Sequence, residues 1–247
     1  MKQGVRIDVI VPAHNEAAHI GQVLDSMPAY VDRIWVVDDG STDDTVARVM
    51  ANRHPRVAVR RHRRCLGVGA ALRNGYKAAF ADGADIVAVM AGDGQMAPED
   101  LPALLAPLLH GEADYSKGNR LGPSAWRHMP KSRLFGNYLL SALTRLATGL
   151  SVDDSQCGYT ALSRQAASRL PWARLWHGYG YPNDLLGWAA IVQLRVVDVP
   201  VRAIYGDEVS GVRLRHAIAV VPFLLARVIL RRLRYRGSLP HTADSVA

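Results

Sequence analysis

The chain has 247 residues, of which 49% are hydrophobic, 21% charged and 7% aromatic, and 30 Lys and Arg against 22 Asp and Glu give it a net charge of +8. This profile excludes a disordered, fibrous or acidic solvating chain, allows a large buried core, and points to an anionic partner: nucleic acid, a phosphorylated substrate or a membrane surface. The only cysteines, Cys65 and Cys157, exclude a disulfide framework and zinc-type spacing and fit a reducing compartment, and the N-terminus lacks the basic-then-apolar pattern of a secretory signal.

Val5–Val11 reads as a first β-rich run, and Glu16–Met27 then sets Ile20, Val23, Leu24 and Met27 on one helical face. Arg33–Asp38 is a second strand, followed by helical patterns over Thr42–Asn52 and Gly69–Ala81; the arginine-rich stretch between them is too basic for a buried strand. Asp85–Met90 is the next strand and Pro98–His110 a helix with a proline near its start. Lys117–Arg120 is expected to follow an edge strand, Ser132–Thr148 to form a long helix, Asp154–Tyr159 to turn into a strand, and Leu194–Val199 to form the last strand. This alternation predicts an α/β fold, a mainly parallel sheet with helices on both faces. Ligands of such sheets bind beyond the carboxyl ends of the strands, so Pro12–Glu16, Asp38–Ser41 and Ala91–Gln95 are the segments to watch.

Taken alone, Val37–Thr45 is an ordinary turn: Gly40 bends the chain, and Ser41 or Thr42 caps a helix that has Asp43 and Asp44 in its first turn. Asp38 and Asp39 nonetheless end a buried strand, where a carboxylate can accept hydrogen bonds from a nucleobase or ribose. Asp93 and Gln95, two apart around Gly94, can aim two oxygens at one hard cation, and Mg²⁺ or Mn²⁺ is commonly held by one or two protein oxygens plus substrate phosphates. Gly67–Leu72 lacks the third glycine of a dinucleotide fingerprint and reads as a loop entering a helix, its N–H groups near phosphate. Arg120 and Arg133 offer guanidiniums for phosphate, with Asn137 one turn beyond Arg133. Asp154 supports the floor of the site. Asp184 is open to two readings, an acceptor base or a helix cap.

Together these motifs resemble the family 2 glycosyltransferases of the GT-A fold, and within them the dolichyl-phosphate mannose synthase-like group that makes polyprenyl-phosphate sugars. The resemblance covers roughly residues 5–210 and rests on PAHNE at 12–16, VDDGSTDDT at 37–45, LGVGAALRNGY at 66–76, GDGQMAPEDL at 92–101, GNR at 118–120 and DSQCGYTALS at 154–163. It implies a nucleotide-sugar donor, a divalent cation and an inverting single displacement. Pro12, Ala13, Asn15, Glu16, Asp38, Asp39, Gly67, Arg73 and Asp93 would surround the donor, with the metal at Asp93 and Gln95 and the acceptor phosphate at Arg120, Arg133 and Asn137. The mannose synthases usually carry an acid where this chain has Ala91, and an arginine before a Gly-Glu-Ser-Lys segment whose place here falls to Arg202 or Arg213.

Seven arginines lie between 213 and 236, around the apolar run 217–226, and no acid occurs between Glu208 and Asp244. The run is shorter than the ~20 residues that cross a bilayer. With Pro222 as a kink or a start, it suits a helix lying at an anionic membrane surface, or one docked on the domain's own core. The expected organisation is a GT-A domain over 1–210, a basic amphipathic segment over 211–236 and a frayed tail over 237–247, cytoplasmic and peripheral on the inner face of the cell membrane. Three other readings compete: a family 2 transferase with a saccharide acceptor, in which Asp184 is essential; a non-catalytic nucleotide-binding module; and a nucleic-acid binder. The last ranks lowest, for want of aromatic residues interleaved among the arginines.

Overall fold

Runs of β-branched residues build the centre of the sheet. Ile7, Val9, Ile10 and Val11, then Ile34, Val36 and Val37, then Ile86, Val87 and Val89 are all buried, as strands covered on both faces require. The computed structural model describes residues 4–122, 129–202, 204 and 214–235, with the backbone alone for 214–219 and 221. Its strands β1 (Ile7–Ala13), β2 (Arg33–Asp38), β3 (Val57–Arg61), β4 (Ile86–Val89), β5 (Tyr115–Asn119), β6 (Thr160–Ser163) and β7 (Val196–Pro200) form one sheet in the order β3-β2-β1-β4-β6-β5-β7. β6 is antiparallel to β4 and β5, and every other pairing is parallel. The carboxyl ends of six strands therefore share one edge with the start of β6.

The helices are α1 (Ile20–Asp25), α2 (Thr45–Asn52), α3 (Val68–Ala81), α4 (Leu101–Leu109), α5 (Lys131–Thr148), α6 (Arg164–Ser168), α7 (Tyr181–Ile191) and α8 (Leu214–Arg234). On one face of the sheet α3, α6 and α7 bury Tyr76, Leu186 and Trp188, and Tyr76 meets Trp172 with ring centroids 4.8 Å apart. On the other face α1 and α4 bury Leu24, Leu101 and Leu104.

Four expectations need correction. The basic stretch does form a strand, β3, because it lies at the sheet edge: Arg60 and Arg61 point outward, and Arg60 lies over the Trp35 ring at 5.7 Å. Lys117–Asn119 belong to β5 itself, and β5 is interior, between β6 and β7. The first helix starts at Ile20 rather than Glu16, because the chain is turned at Asn15 (φ +60°), whose N–H donates to Ser41 Oγ, while the Glu16 N–H donates to Thr45 Oγ1. The second starts at Thr45, and the N–H of Thr45 is accepted by Asp43 Oδ1 at 3.0 Å, a role given to neither Ser41 nor Thr42.

The C-terminal helix α8 passes through Pro222 and packs on α5 and α7. Two glycines let it approach: a Cβ at Gly187 would lie 2.6 Å from Val228 Cγ2, and one at Gly180 would lie 2.4 Å from Leu224 Cδ1. Among the described residues no helix is long and apolar enough to cross a membrane.

Candidate active site

The loops after β1 and β2 are laced into one wall. Ala13 accepts the Asp39 N–H at 2.8 Å, Asn15 Oδ1 accepts the Thr42 N–H at 2.9 Å, and His14 Nδ1 lies 2.9 Å from the Asp39 carbonyl. Pro12 accepts the Gly92 N–H at 3.1 Å, which ties the loop after β4 to the same wall. Asp38 is fully buried, with Arg61 at 3.4 Å and the Ser41 N–H at 3.2 Å.

Asp39 clamps the loop from 62 to 67. Its carboxylate accepts from His62 Nδ1 at 2.7 Å, the N–H groups of Leu66 and Gly67 at 2.8 Å each, and Cys65 Sγ at 3.3 Å. Burial alone would push this carboxyl up, but His62 and the backbone N–H groups hold it below the ordinary carboxylate range. Asn74 Nδ2 meets the other nitrogen of His62 at 2.8 Å.

Beyond β4 the chain turns through Gly94 (φ +74°), and the Gln95 N–H donates to Asp93 Oδ1 at 3.0 Å. Asp93, Gln95 and Arg120 line one cavity of about 40 Å³, together with Cys157, Tyr159 and Arg202. The floor is Asp154, fully buried, which receives Arg120 Nε at 2.7 Å and Nη2 at 3.1 Å, and the N–H of Cys157 at 3.0 Å. Burial opposes ionisation of Asp154, but Arg120 and Lys117 outweigh it and keep the carboxyl below its ordinary range. The donor set at the rim fits a hard cation, with one carboxylate and one carboxamide oxygen two residues apart. Among the described residues no group of three or more His, Cys, Asp or Glu could hold a metal, and a cation held by one or two protein oxygens takes its other ligands from substrate phosphates and water.

Several expected site residues are used otherwise. Gly67 (φ +98°) and Gly69 face the chain at 176–177, where a Cβ on Gly69 would lie 2.1 Å from the Trp176 carbonyl. The His177 carbonyl accepts the Gly69 N–H at 2.7 Å and Asp39 accepts the Gly67 N–H, so both N–H groups are bonded within the protein. Arg73 meets His177 Nε2 at 3.0 Å, on that side of α3. Arg133 stands half-buried in the first turn of α5 and is not among the residues lining the cavity. Asn137 is buried, and its Nδ2 donates to Met129 Sδ at 3.5 Å. Arg202 lines the cavity, but its guanidinium is engaged by Asp100 and Glu99 at 3.0 Å. Arg213 and the segment 205–213 lie outside the described residues.

Asp184 is the clearest correction. It is fully buried, accepts the Trp176 N–H at 2.9 Å, and pairs with Arg231 of α8 at 2.6 Å. A carboxyl so enclosed ties the C-terminal helix to α7, and burial pushes its pKa up to about 6. The arginines expected among lipid headgroups are likewise partly spent on the protein: Arg227 lies 3.7 Å from Asp184, and Arg232 donates to the Ala147 carbonyl at 2.6 Å.

Three contributors escape sequence reasoning. His62 orients Asp39, the His177 carbonyl closes the base of α3, and Lys117 sits fully buried in β5 with its ammonium donating to the Cys157 carbonyl. Burial lowers the Lys117 pKa. The buried lysine carries a faint signal, a cation between the small residues Ser116 and Gly118; the other two carry none.

Comparison with known proteins shows the family and the fold. The family model for glycosyl transferase family 2 matches residues 8–170. A UDP-N-acetylglucosamine–dolichyl-phosphate N-acetylglucosaminyltransferase of Methanococcus voltae is 32% identical over 218 residues, covering 81% of this chain and 86% of the relative. A polyprenol monophosphomannose synthase of Mycolicibacterium smegmatis is 32% identical over 224 residues, covering 85% and 83%. The crystal structure of glucosyl-3-phosphoglycerate synthase from Mycobacterium tuberculosis with Mn²⁺, UDP-glucose and phosphoglyceric acid superposes with a TM-score of 0.64 at 28% identity, covering 93% of this chain and 80% of that one.

Proposed function

Because the chain belongs to glycosyltransferase family 2, we propose that it moves a hexose from a GDP- or UDP-sugar to a polyprenyl phosphate. The observation that carries this reading is the cavity in which Arg120, held by Asp154, meets Asp93 and Gln95. It sets a phosphate-binding guanidinium beside the place where a donor diphosphate and its cation would sit. The names of the Methanococcus and Mycolicibacterium relatives support a polyprenyl-phosphate acceptor, and the Mn²⁺ and UDP-glucose of the Mycobacterium structure support a divalent cation and a nucleotide-sugar donor.

In this reading the wall formed by Pro12, Ala13, Asn15, Glu16 and Asp38 holds the nucleoside, and Asp39 acts through the loop that it clamps. Asp93 and Gln95 hold Mg²⁺ or Mn²⁺, which when bound neutralises the leaving diphosphate. Arg120 orients the lipid phosphate in the cavity, and Arg133, outside the cavity lining, would have to meet it from the first turn of α5. A phosphomonoester has a second pKa of ~6 and is largely ionised near neutrality, so the nucleophile needs no base. That agrees with the burial of Asp184. A phosphate oxygen attacks the anomeric carbon in line, the bond to the diphosphate breaks, and an α-linked donor gives a β-linked product. Positioning supplies much of the acceleration.

Exposed apolar residues on α8 (Phe223, Leu230, Leu233) and on α5 (Phe135, Leu139, Leu146) support contact with the membrane that carries such an acceptor. The test incubates purified protein with Mg²⁺ or Mn²⁺, short-chain polyprenyl phosphate and a panel of GDP- and UDP-sugars, and follows free nucleotide diphosphate and glycolipid. Glycolipid formed from one donor only when the lipid phosphate is present is the expected result. Turnover that requires a saccharide or a soluble phosphorylated acceptor instead overturns the lipid assignment and keeps the family.

A further inference from the structure

Between α8 and the loop that follows α6 lies an open groove of about 530 Å³. Four guanidiniums line it: Arg174 from the loop, and Arg227, Arg231 and Arg234 from successive turns of α8. The one described carboxylate that pairs with any of them is Asp184, 2.6 Å from Arg231 and 3.7 Å from Arg227. Arg174 and Arg234 pair with no described carboxylate, so the groove holds an excess of positive charge. Arg231 Nη1 and the Trp188 indole N–H are both buried without a hydrogen-bond partner among the described residues. Arg227 lies over the Trp176 ring at 5.7 Å and Arg231 over the Trp188 ring at 4.6 Å, contacts that fix the planes of both forks.

Converging guanidiniums with fixed planes and little counter-charge suit the oxygens of a phosphate. The same helix exposes Phe223, Leu230 and Leu233, an apolar flank for a phosphate that carries hydrocarbon chains. We propose that this groove binds a phosphoester anion, the headgroup of an anionic phospholipid, at a site separate from the acceptor cavity at Arg120. The lipid identity rests on the reading of α8 as membrane-facing; the anion site itself rests on the groove.

The test uses the full-length protein and follows the indole N–H resonances of Trp176 and Trp188 by NMR. It titrates dioctanoyl phosphatidylglycerol below its micelle concentration, inorganic phosphate, and dioctanoyl phosphatidylcholine. Phosphatidylglycerol should shift both resonances saturably, phosphate should shift the same two more weakly, and phosphatidylcholine should shift neither. The double variant R174Q/R234Q removes two exposed arginines with no described ion pair and should weaken phosphatidylglycerol binding about tenfold or more. Equal affinity for phosphate and phosphatidylglycerol supports the site and names a free phosphate as its ligand. No saturable shift with either anion, or shifts unchanged in a folded R174Q/R234Q, overturns the proposal. Sedimentation with phosphatidylglycerol vesicles tests the membrane reading separately. Vesicle binding without indole shifts leaves that reading standing and removes the site, and indole shifts without vesicle binding do the reverse.

Discussion

Arg120 and Asp154 meet through two contacts, Nε to Oδ2 at 2.7 Å and Nη2 to Oδ1 at 3.1 Å, with the carboxylate fully buried and the guanidinium edging the cavity of Asp93 and Gln95. The pair couples the stability of the floor to the direction in which Arg120 points. Asp154→Asn should cost about 3 kcal/mol, because it removes the buried counter-charge of a largely buried guanidinium. It should also raise the KM for the phosphate acceptor about tenfold, since Arg120 loses its fixed plane. Urea unfolding and acceptor titration read the two effects separately, and a stability loss with an unchanged KM would reduce Arg120 to a structural role.

The same pair sets an acid limit. The folded pKa of Asp154 lies below its ordinary value, so the stabilisation is fully present above the unfolded pKa of about 4 and is lost as pH falls through the folded value. The stability gap between wild type and Asp154→Asn should therefore be constant near neutrality and shrink below about pH 4. Melting temperatures of both proteins across that range give the comparison.

Asp93→Ala should lower transfer by about 10³-fold while leaving the melting temperature within a degree or so, because the side chain stands at a cavity rim rather than in the core. Nucleotide diphosphate release and a thermal melt check both halves. Near-normal turnover would remove the metal assignment at Asp93 and Gln95.

Asp184→Asn separates an anchor from a base. An anchor predicts a kcat within about threefold of wild type with a phosphate acceptor, together with a loss of about 3 kcal/mol and faster proteolysis within 214–235. A base predicts a fall in kcat of about 10²-fold or more with the fold unchanged. Steady-state kinetics alongside limited trypsin digestion tells them apart.

Two glycine variants test a close approach in α3 and the turn after β4. Gly69→Ala places a Cβ 2.1 Å from the Trp176 carbonyl, so the backbone must move, at a cost of about 1–3 kcal/mol. Gly94→Ala meets no atom within 4 Å but occupies φ +74°, and should cost about 1 kcal/mol. Chemical denaturation of the two variants should rank them in that order.

Much of this arrangement is legible in the chain itself. Central strands announce themselves because β1, β2 and β4 are covered on both faces and carry runs of Val and Ile. β3 does not, because an edge strand can point Arg60 and Arg61 outward and still pair through its backbone. β5 hides a lysine that the Cys157 carbonyl and the nearby carboxylates of Asp154 and Asp198 make tolerable, and no local pattern reports partners contributed from so far along the chain. The two-residue spacing of Asp93 and Gln95 is visible, and so is Arg120. The fate of Asp184 is not, because its partner lies 47 positions further along the chain. The helical pattern around it suits a cap, a base or an anchor equally well.

The reversed strand β6 has a consequence for how the protein divides its work. Since β6 runs against its neighbours, residues 154–159 arrive at the edge of the sheet that β1, β2 and β4 leave. The wall built from 12–16 and 38–45 and the floor built around Asp154 thus come from stretches of chain separated by α4. The loop after β4 joins the two, bonded to the wall through Pro12 and Gly92 and facing the floor through Asp93 and Gln95.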